Sequence, residues 1–190
     1  DDSIPHYALL IEEPEAHIHP QLQLNLYNFL KKANSEVNSQ LFITTHSPTL
    51  TSKVPLDKLI LLEDKAFTIG NLYTERSGEN IVQDMTAGVA LTELQIKEKK
   101  DQLERYIDVT KSQLFFARKC LFVEGISEEL LITAFSRVEG FNLEDYSIEM
   151  VNVNGISFYP FLLLFNSSSE AKRLPKKIVI LTDDDRLPRS

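Results

Sequence analysis

Tyr7-Ala8-Leu9-Leu10-Ile11-Glu12-Glu13-Pro14 is the stretch on which the fold class turns. A short, continuous apolar run between Pro5 and a pair of acids suits a strand buried on both faces of a parallel sheet. Outward from it, Pro20 fits the first turn of a helix that carries Leu22, Leu26, Phe29 and Leu30 at helical spacing. Lys31-Lys32, placed near the end of that pattern, would complement the helix dipole. Leu41-Phe42-Ile43-Thr44-Thr45 follows as a second β-branched apolar run. The three segments read as a strand-helix-strand unit with a right-handed crossover, so the carboxyl ends of both strands lie side by side.

Beyond Pro55 the pattern changes. Leu59-Ile60-Leu61-Leu62 and Phe67-Thr68-Ile69, separated by turn formers, predict an antiparallel or edge hairpin, closed by a polar loop at Ser77-Gly78-Glu79-Asn80. From Thr86 to Arg118 the chain is charged and largely helical, and Lys97 to Arg105 alternates acids and bases as a solvated helix does. A second strand-helix series then begins. Strands are expected at Leu121-Phe122-Val123, Ile148 to Val153 and Ile178-Val179-Ile180-Leu181. Helices are expected from Ser127, as N-cap, to Val138 with Gly140 closing it, and around Phe158 to Phe165. The domain organisation expected is residues 1–85, 86–118 as a helical connector, and 119–190.

The 190 residues are 43% hydrophobic and 25% charged, the composition of an ordinary globular α/β protein. No apolar run approaches the roughly 20 residues of a membrane span. The acidic start lacks the basic region of a signal peptide, so a cytoplasmic location with no membrane partner is expected. The single cysteine, Cys120, lies in an apolar run and reads as a buried, inert thiol. A net charge of −8 argues against a simple basic clamp on nucleic acid, leaving contacts that are local or mediated by metal.

A strand ending in two consecutive carboxylates aims one acid at a metal-phosphate group and the next where it can orient a water. Glu12 would support Mg²⁺ and Glu13 would position the attacking water, which is Walker-B chemistry. Thr45-His46-Ser47-Pro48 brings an imidazole to the same edge, within reach of a terminal phosphate. The bland alternative is two exposed acids at a strand end with His46 as a capping or core histidine. The His17-Ile18-His19 pair offers two close ligands and no third, and reads as structural or interface-forming rather than as a zinc site. Leu9 to Pro20 resembles the Walker B and D-loop of ABC-type ATPases of the OLD (overcoming lysogenization defect) family and of structural-maintenance relatives. Ile43-Thr44-Thr45-His46-Ser47 is similar to their switch-histidine loop. The resemblance implies ATP as ligand, with Glu12 a charge-preserving departure from the more usual Asp, and a D-loop facing a partner subunit. No stretch matches G-x-x-x-x-G-K-S/T, so the Walker A cradle is absent and the chain reads as a fragment.

The second strand-helix series repeats the theme. Val123-Glu124-Gly125 sets a carboxylate at a strand end, Glu128 opens the next helix, and Thr182-Asp183-Asp184-Asp185 closes the last strand with Asp183 and Asp185 on one side if extended. Four converging carboxylates suit Mg²⁺ or Mn²⁺, and paired cations serve phosphodiester cleavage. The alternative gives Glu128 to the helix dipole and the Asp run to a turn. Cys120 to Glu128 and Ile180 to Asp185 resemble the two acidic motifs of the Toprim (topoisomerase–primase) domain in its OLD-nuclease form. Glu104 to Gln113 resembles that family's linker.

The expected architecture is therefore the C-terminal half of an ABC-type ATPase sheet followed by the N-terminal half of a Toprim α/β domain. The resemblance implies an ATP-regulated, metal-dependent DNA endonuclease with Glu124, Glu128, Asp183 and Asp185 as ligands. It further implies homo-oligomers formed through the ATPase domain, a helicase or other defence partner, and a role against phage. The alternatives are a DNA-binding or assembly module with non-catalytic elements, and a primase- or topoisomerase-like Toprim enzyme, for which no catalytic tyrosine is marked.

Overall fold

The structure is a computed structural model that describes residues 7–37, 39–74, 80–82, 88–155 and 157–183. The chain divides into two compact units, residues 1–54 and 55–190.

In the first unit, β1 (Ala8–Glu12), α1 (Pro20–Val37), β2 (Gln40–Thr44) and the short α2 (Pro48–Thr51) follow one another. β1 and β2 pair in parallel with Ala8 opposite Gln40 and Glu12 opposite Thr44, the strand-helix-strand unit expected. The expectation of strands buried on both faces does not hold here, since Leu10 is 75% exposed and Phe42 51%. Among the described residues β1 pairs only with β2, and α1 is the helix that packs on that pair. α1 departs from its apolar pattern too: Leu22 and Phe29 are exposed while Gln23 is buried. The helix also runs on to Val37, leaving Lys31-Lys32 short of its last turn, which has no basic residue. What is buried in this unit is mostly polar, namely Gln23, Ser47 and Thr51 beside Leu50. Ser47 caps α2 by accepting from the Leu50 N–H, and its hydroxyl donates to Gln23 Oε1 at 2.6 Å.

The second unit opens with a hairpin, β3 (Ile60–Leu62) and β4 (Ala66–Thr68), paired antiparallel as expected. After α3 (Asn71–Thr74), a hairpin the sequence did not announce pairs β5 (Asn80–Val82) with β6 (Gly88–Ala90). Most of the polar loop expected around Ser77 to Asn80 lies outside the described residues. α4 (Glu93–Tyr106) starts with a reciprocal cap between Thr92 and Gln95. Although its middle alternates charges, Ile96 and Leu103 are buried in the same core as Phe67, Tyr73 and Phe122, and α4 packs on α3. The 55–118 region thus belongs to the second unit's core, because the two apolar positions of a charged helix suffice to seat one face.

β7 (Lys119–Val123), α5 (Ile126–Val138), β8 (Ile148–Asn152), α6 (Tyr159–Leu162) and β9 (Lys177–Leu181) complete the unit. The three strands form a parallel sheet of order β8-β7-β9, with Val123 opposite both Asn152 and Leu181. β7 is the central strand, and Phe122 and Val123 are fully buried, with Phe122 tilted against Phe161 and edge-on to Phe165. α5 begins one residue before the expected start, with Gly125 rather than Ser127 as N-cap. Its C-terminus follows the sequence. Gly140 sits at φ 67° and donates to Arg137 O, while Phe141 donates to Ser136 O at 2.7 Å, the paired bonds of a Schellman turn. The helix expected over Phe158 to Phe165 is regular only across Tyr159–Leu162, with turns beyond.

Tyr73 donates its hydroxyl to Pro160 O, tying α3 to α6. The Lys176 ammonium, its side chain 2% exposed, donates to Phe115 O, Ala117 O and Glu63 Oε1, so a buried cation is fully engaged. No helix among the described residues is long and apolar enough to cross a membrane.

Candidate functional sites at two acidic sheet edges

At the first edge, the parallel register sets Glu12 beside Thr44. One residue on, the Glu13 N–H donates to Thr44 O at 2.9 Å, and Glu13 itself takes φ 41°, in the left-handed region. That region costs a non-glycine residue of order 1 kcal/mol or more and gathers at functional turns. It redirects the chain, so Glu12 and Glu13 leave the strand in different directions. Glu13 Oε1 lies 3.3 Å from His46 Nε2, with the two side chains 48% and 81% exposed. The edge therefore presents a carboxylate and an imidazole together on an open surface, an arrangement able to hold a water and meet a phosphate.

The turn that follows is ordered by hydrogen bonds from Ala16 N–H to Glu13 O and from Ile18 N–H to Glu15 O, with His17 at φ 62°. His19 serves α1: its carbonyl accepts from the Leu22 N–H, and its Nδ1 accepts weakly from Gln21 N–H at 3.4 Å. The sequence reading passed over Glu15, whose Oε1 accepts from Thr45 Oγ1 at 2.5 Å and from the His46 N–H at 2.9 Å. Its only sequence signal was membership of the acid run after β1.

At the second edge, Glu124 leaves the central strand between the ends of β8 and β9. The Thr182 hydroxyl donates to Glu124 Oε2 at 2.7 Å, and the Asp183 N–H approaches the same oxygen at 3.4 Å. From the other side the Gly155 N–H donates to Glu124 O at 2.8 Å. Glu124 and Asp183, 59 residues apart, are thus brought to one place. Glu128 turns back on its own helix, where Oε2 accepts from the Gly125 N–H at 2.8 Å. A Cβ on Gly125 would lie 3.3 Å from that oxygen, so the glycine serves this close approach. Asp185 lies outside the described residues. Thr182 and Asn152, which donates to Glu129 Oε2 at 2.7 Å, are further edge residues that sequence reasoning missed; Thr182 could have been suspected as the residue leading into the Asp run.

Carboxylate donors suit a hard divalent cation at either edge. Among the described residues no three His, Cys, Asp or Glu side chains stand close enough to form a complete cation site as they lie. Carboxylate oxygens are the right donor type for such an ion, and in this structure Glu128 Oε2 is engaged by the Gly125 N–H.

Residues 115–185 match the family model described as the overcoming lysogenization defect protein-like Toprim domain, and residues 4–51 match an AAA ATPase domain model. Glu12, Glu13 and His46 lie in one matched stretch, and Glu124, Glu128, Asp183 and Asp185 in the other. The stretch whose resemblance implied an ATPase sheet is thus matched by a model described as an AAA ATPase domain. The chain is 30% identical to Endonuclease GajA of Bacillus cereus over 93% of this chain and 26% of the relative. It is 24% identical to OLD nuclease of Thermus scotoductus over 70% of this chain and 23% of the relative. It spans about a quarter of the length of these curated relatives. The chain thus carries an ATPase-like stretch leading into an OLD-like Toprim stretch, with one strand of each parallel sheet running into an acid, Glu12-Glu13 in the first and Glu124 in the second.

Proposed function

We propose that the chain is part of an ATP-regulated, divalent-metal-dependent DNA endonuclease. The observation that carries this reading is the convergence of Glu124 with the Thr182-Asp183 turn at the end of a buried parallel sheet, inside the stretch that matches the Toprim model. Relatives named as an endonuclease and a nuclease support it.

In this reading Glu124, Glu128, Asp183 and Asp185 hold Mg²⁺ or Mn²⁺. Such cations activate a water and stabilise the leaving oxygen of a phosphodiester. The protein's own part is orientation: the Thr182 hydroxyl and the Asp183 N–H fix the Glu124 carboxylate, so the edge is ordered before DNA arrives. At the ATPase edge Glu12 supports the nucleotide's Mg²⁺, Glu13 orients the attacking water and His46 hydrogen-bonds the terminal phosphate. ATP state would control pairing of ATPase domains, and through it DNA access to the Toprim edge. A homo-oligomer, a helicase or other defence partner, and a role against phage accompany this reading.

Plasmid cleavage by the full-length protein with Mg²⁺ or Mn²⁺ tests it. Glu124→Ala or Asp183→Ala is expected to abolish cutting and leave ATP binding intact, and Glu13→Gln to hold ATP without turning it over. The capping role of Glu128 favours a second reading, in which both edges are scaffolding for a DNA-binding or assembly module. No cutting by the wild-type protein with either cation would decide for that module, whereas normal cutting by both the Glu124 and the Asp183 variants would remove the metal-site assignment.

A further inference from the structure

We propose that Glu15 is a positioning residue that sets His46 against Glu13. The inference rests on the ATPase reading given above and assigns a role to a carboxylate outside the pair Glu12 and Glu13.

Glu15 belongs to the turn after β1, yet both groups donating to its Oε1 belong to the loop after β2. They are the Thr45 hydroxyl at 2.5 Å and the His46 backbone N–H at 2.9 Å. Thr45 Oγ1 accepts in turn from the Ser47 N–H at 3.0 Å, so one carboxylate oxygen organises three successive residues of the histidine loop. The Glu13 N–H to Thr44 O bond ties the same two segments one step earlier.

The exposure of the parts explains why such a clamp matters. With its side chain 81% exposed, His46 is not wedged into a packed core, so the hold on its backbone contributes to where its imidazole starts from. Fixing the His46 N–H fixes the Cα–Cβ direction, and with it the approach of Nε2 to Glu13 Oε1 at 3.3 Å. Glu15 is itself half-buried, and its Oε2 is shielded with no hydrogen-bond partner among the described residues. Shielding a carboxylate oxygen is costly, and the two bonds at Oε1 offset part of that cost. A glutamine offers the same Oε1 acceptor without the charge.

The test is steady-state ATP hydrolysis by the full-length protein. Misplacing a catalytic group slightly costs a large factor in rate, so Glu15→Ala is expected to lower kcat by about tenfold or more with KM for ATP moved less than about twofold. Glu15→Gln is expected to restore most of the rate. Because Glu15 acts through His46, adding Glu15→Ala to His46→Ala is expected to cost nothing further. An additional loss in the double variant, or wild-type hydrolysis by Glu15→Ala beside a slow His46→Ala, overturns the positioning role. Wild-type hydrolysis by His46→Ala is a different failure: it removes the ATPase reading of this edge and the inference with it. Should Glu15→Ala not fold, as judged by its melting curve, Thr45→Val removes one of the two bonds. It is expected to lower kcat in the wild-type background and not in the His46→Ala background, and a wild-type kcat overturns the inference.

Discussion

The two acidic edges are made from the same local grammar, a short apolar strand that ends in a carboxylate beside a parallel neighbour, but they are supported differently. Under the second edge lies an apolar core in which Phe122, Val123, Val153 and Phe161 are completely buried. The first edge stands on strands whose Leu9, Leu10 and Phe42 are exposed, and the links that shape it are polar: Glu15 to Thr45 and His46, and Gln23 to Ser47. Apolar packing is non-directional and contributes mostly to stability, whereas hydrogen bonds specify geometry at modest net energy. Substitutions beneath the second edge should therefore be read first as stability changes, and those around the first as changes in placement.

The strongest way to break that contrast is to remove a large side chain from each region. Phe122→Ala is expected to destabilise the second unit by about 3–5 kcal/mol, the usual cost of emptying a buried aromatic site. Phe42→Ala, at a position 51% exposed, is expected to cost under about 1 kcal/mol in the same denaturant titration of the 190-residue chain. Equal losses would mean that the strand pair of the first unit is as well covered as the Toprim sheet.

A smaller effect sharpens the account of how charge is held in the second unit. Burial raises the Asp108 carboxyl, but hydrogen bonds from the Lys111 ammonium and backbone N–H and the Lys111 charge outweigh it and hold it below the ordinary value. Lys111 is the buried partner, its side chain 6% exposed against 54% for Asp108. A depressed folded-state pKa stabilises the fold above the unfolded carboxylate pKa, and the contribution disappears as pH falls through the folded value. Because the Asp108 carboxylate is half-exposed and screened by solvent, Asp108→Asn is expected to cost under about 1 kcal/mol at neutral pH, with the gap from wild type closing in acid. A gap that is unchanged by acid would assign the loss to packing instead of charge.

The smallest change expected is chemical. Burial pushes the Cys120 thiol up to about 11, with the Lys176 charge opposing and Glu149 reinforcing the shift. At neutral pH the folded protein should take up an alkylating reagent at Cys120 only as fast as it opens, and unfolding should release full reactivity. Rapid labelling of the folded chain would show the β7 core to be looser than its burial implies.

Much of this organisation could be read directly along the chain. The runs ending at Glu12, Thr44, Val123 and Leu181 are legible as parallel strands because continuous apolarity followed by acids or turn formers is a local signal. Gly140 is legible as a helix stop for the same reason. Signals that depend on distant partners were not legible. Nothing local marked Glu15, whose partners lie 30 and 31 positions away, and Ile96 and Leu103 looked like part of a helical connector until a core formed around them. Even the helix start differed, since Gly125 takes the N-cap position in place of Ser127 and leaves room for the Glu128 carboxylate to fold back on it.

Sequence by itself determined the α/β class, the order of ATPase-like and Toprim-like segments, and the acids that follow β1, β7 and β9, since all three are carried by residue type and short spacing. Only the tertiary structure decided which side chains meet. It paired Glu13 with His46, seated Glu124 on the Thr182-Asp183 turn and placed residues 55–118 in the second unit's core. The physical reason is that hydrogen bonds and packing act over a few ångströms in space, and closing loops of tens of residues leaves no periodic trace in the chain.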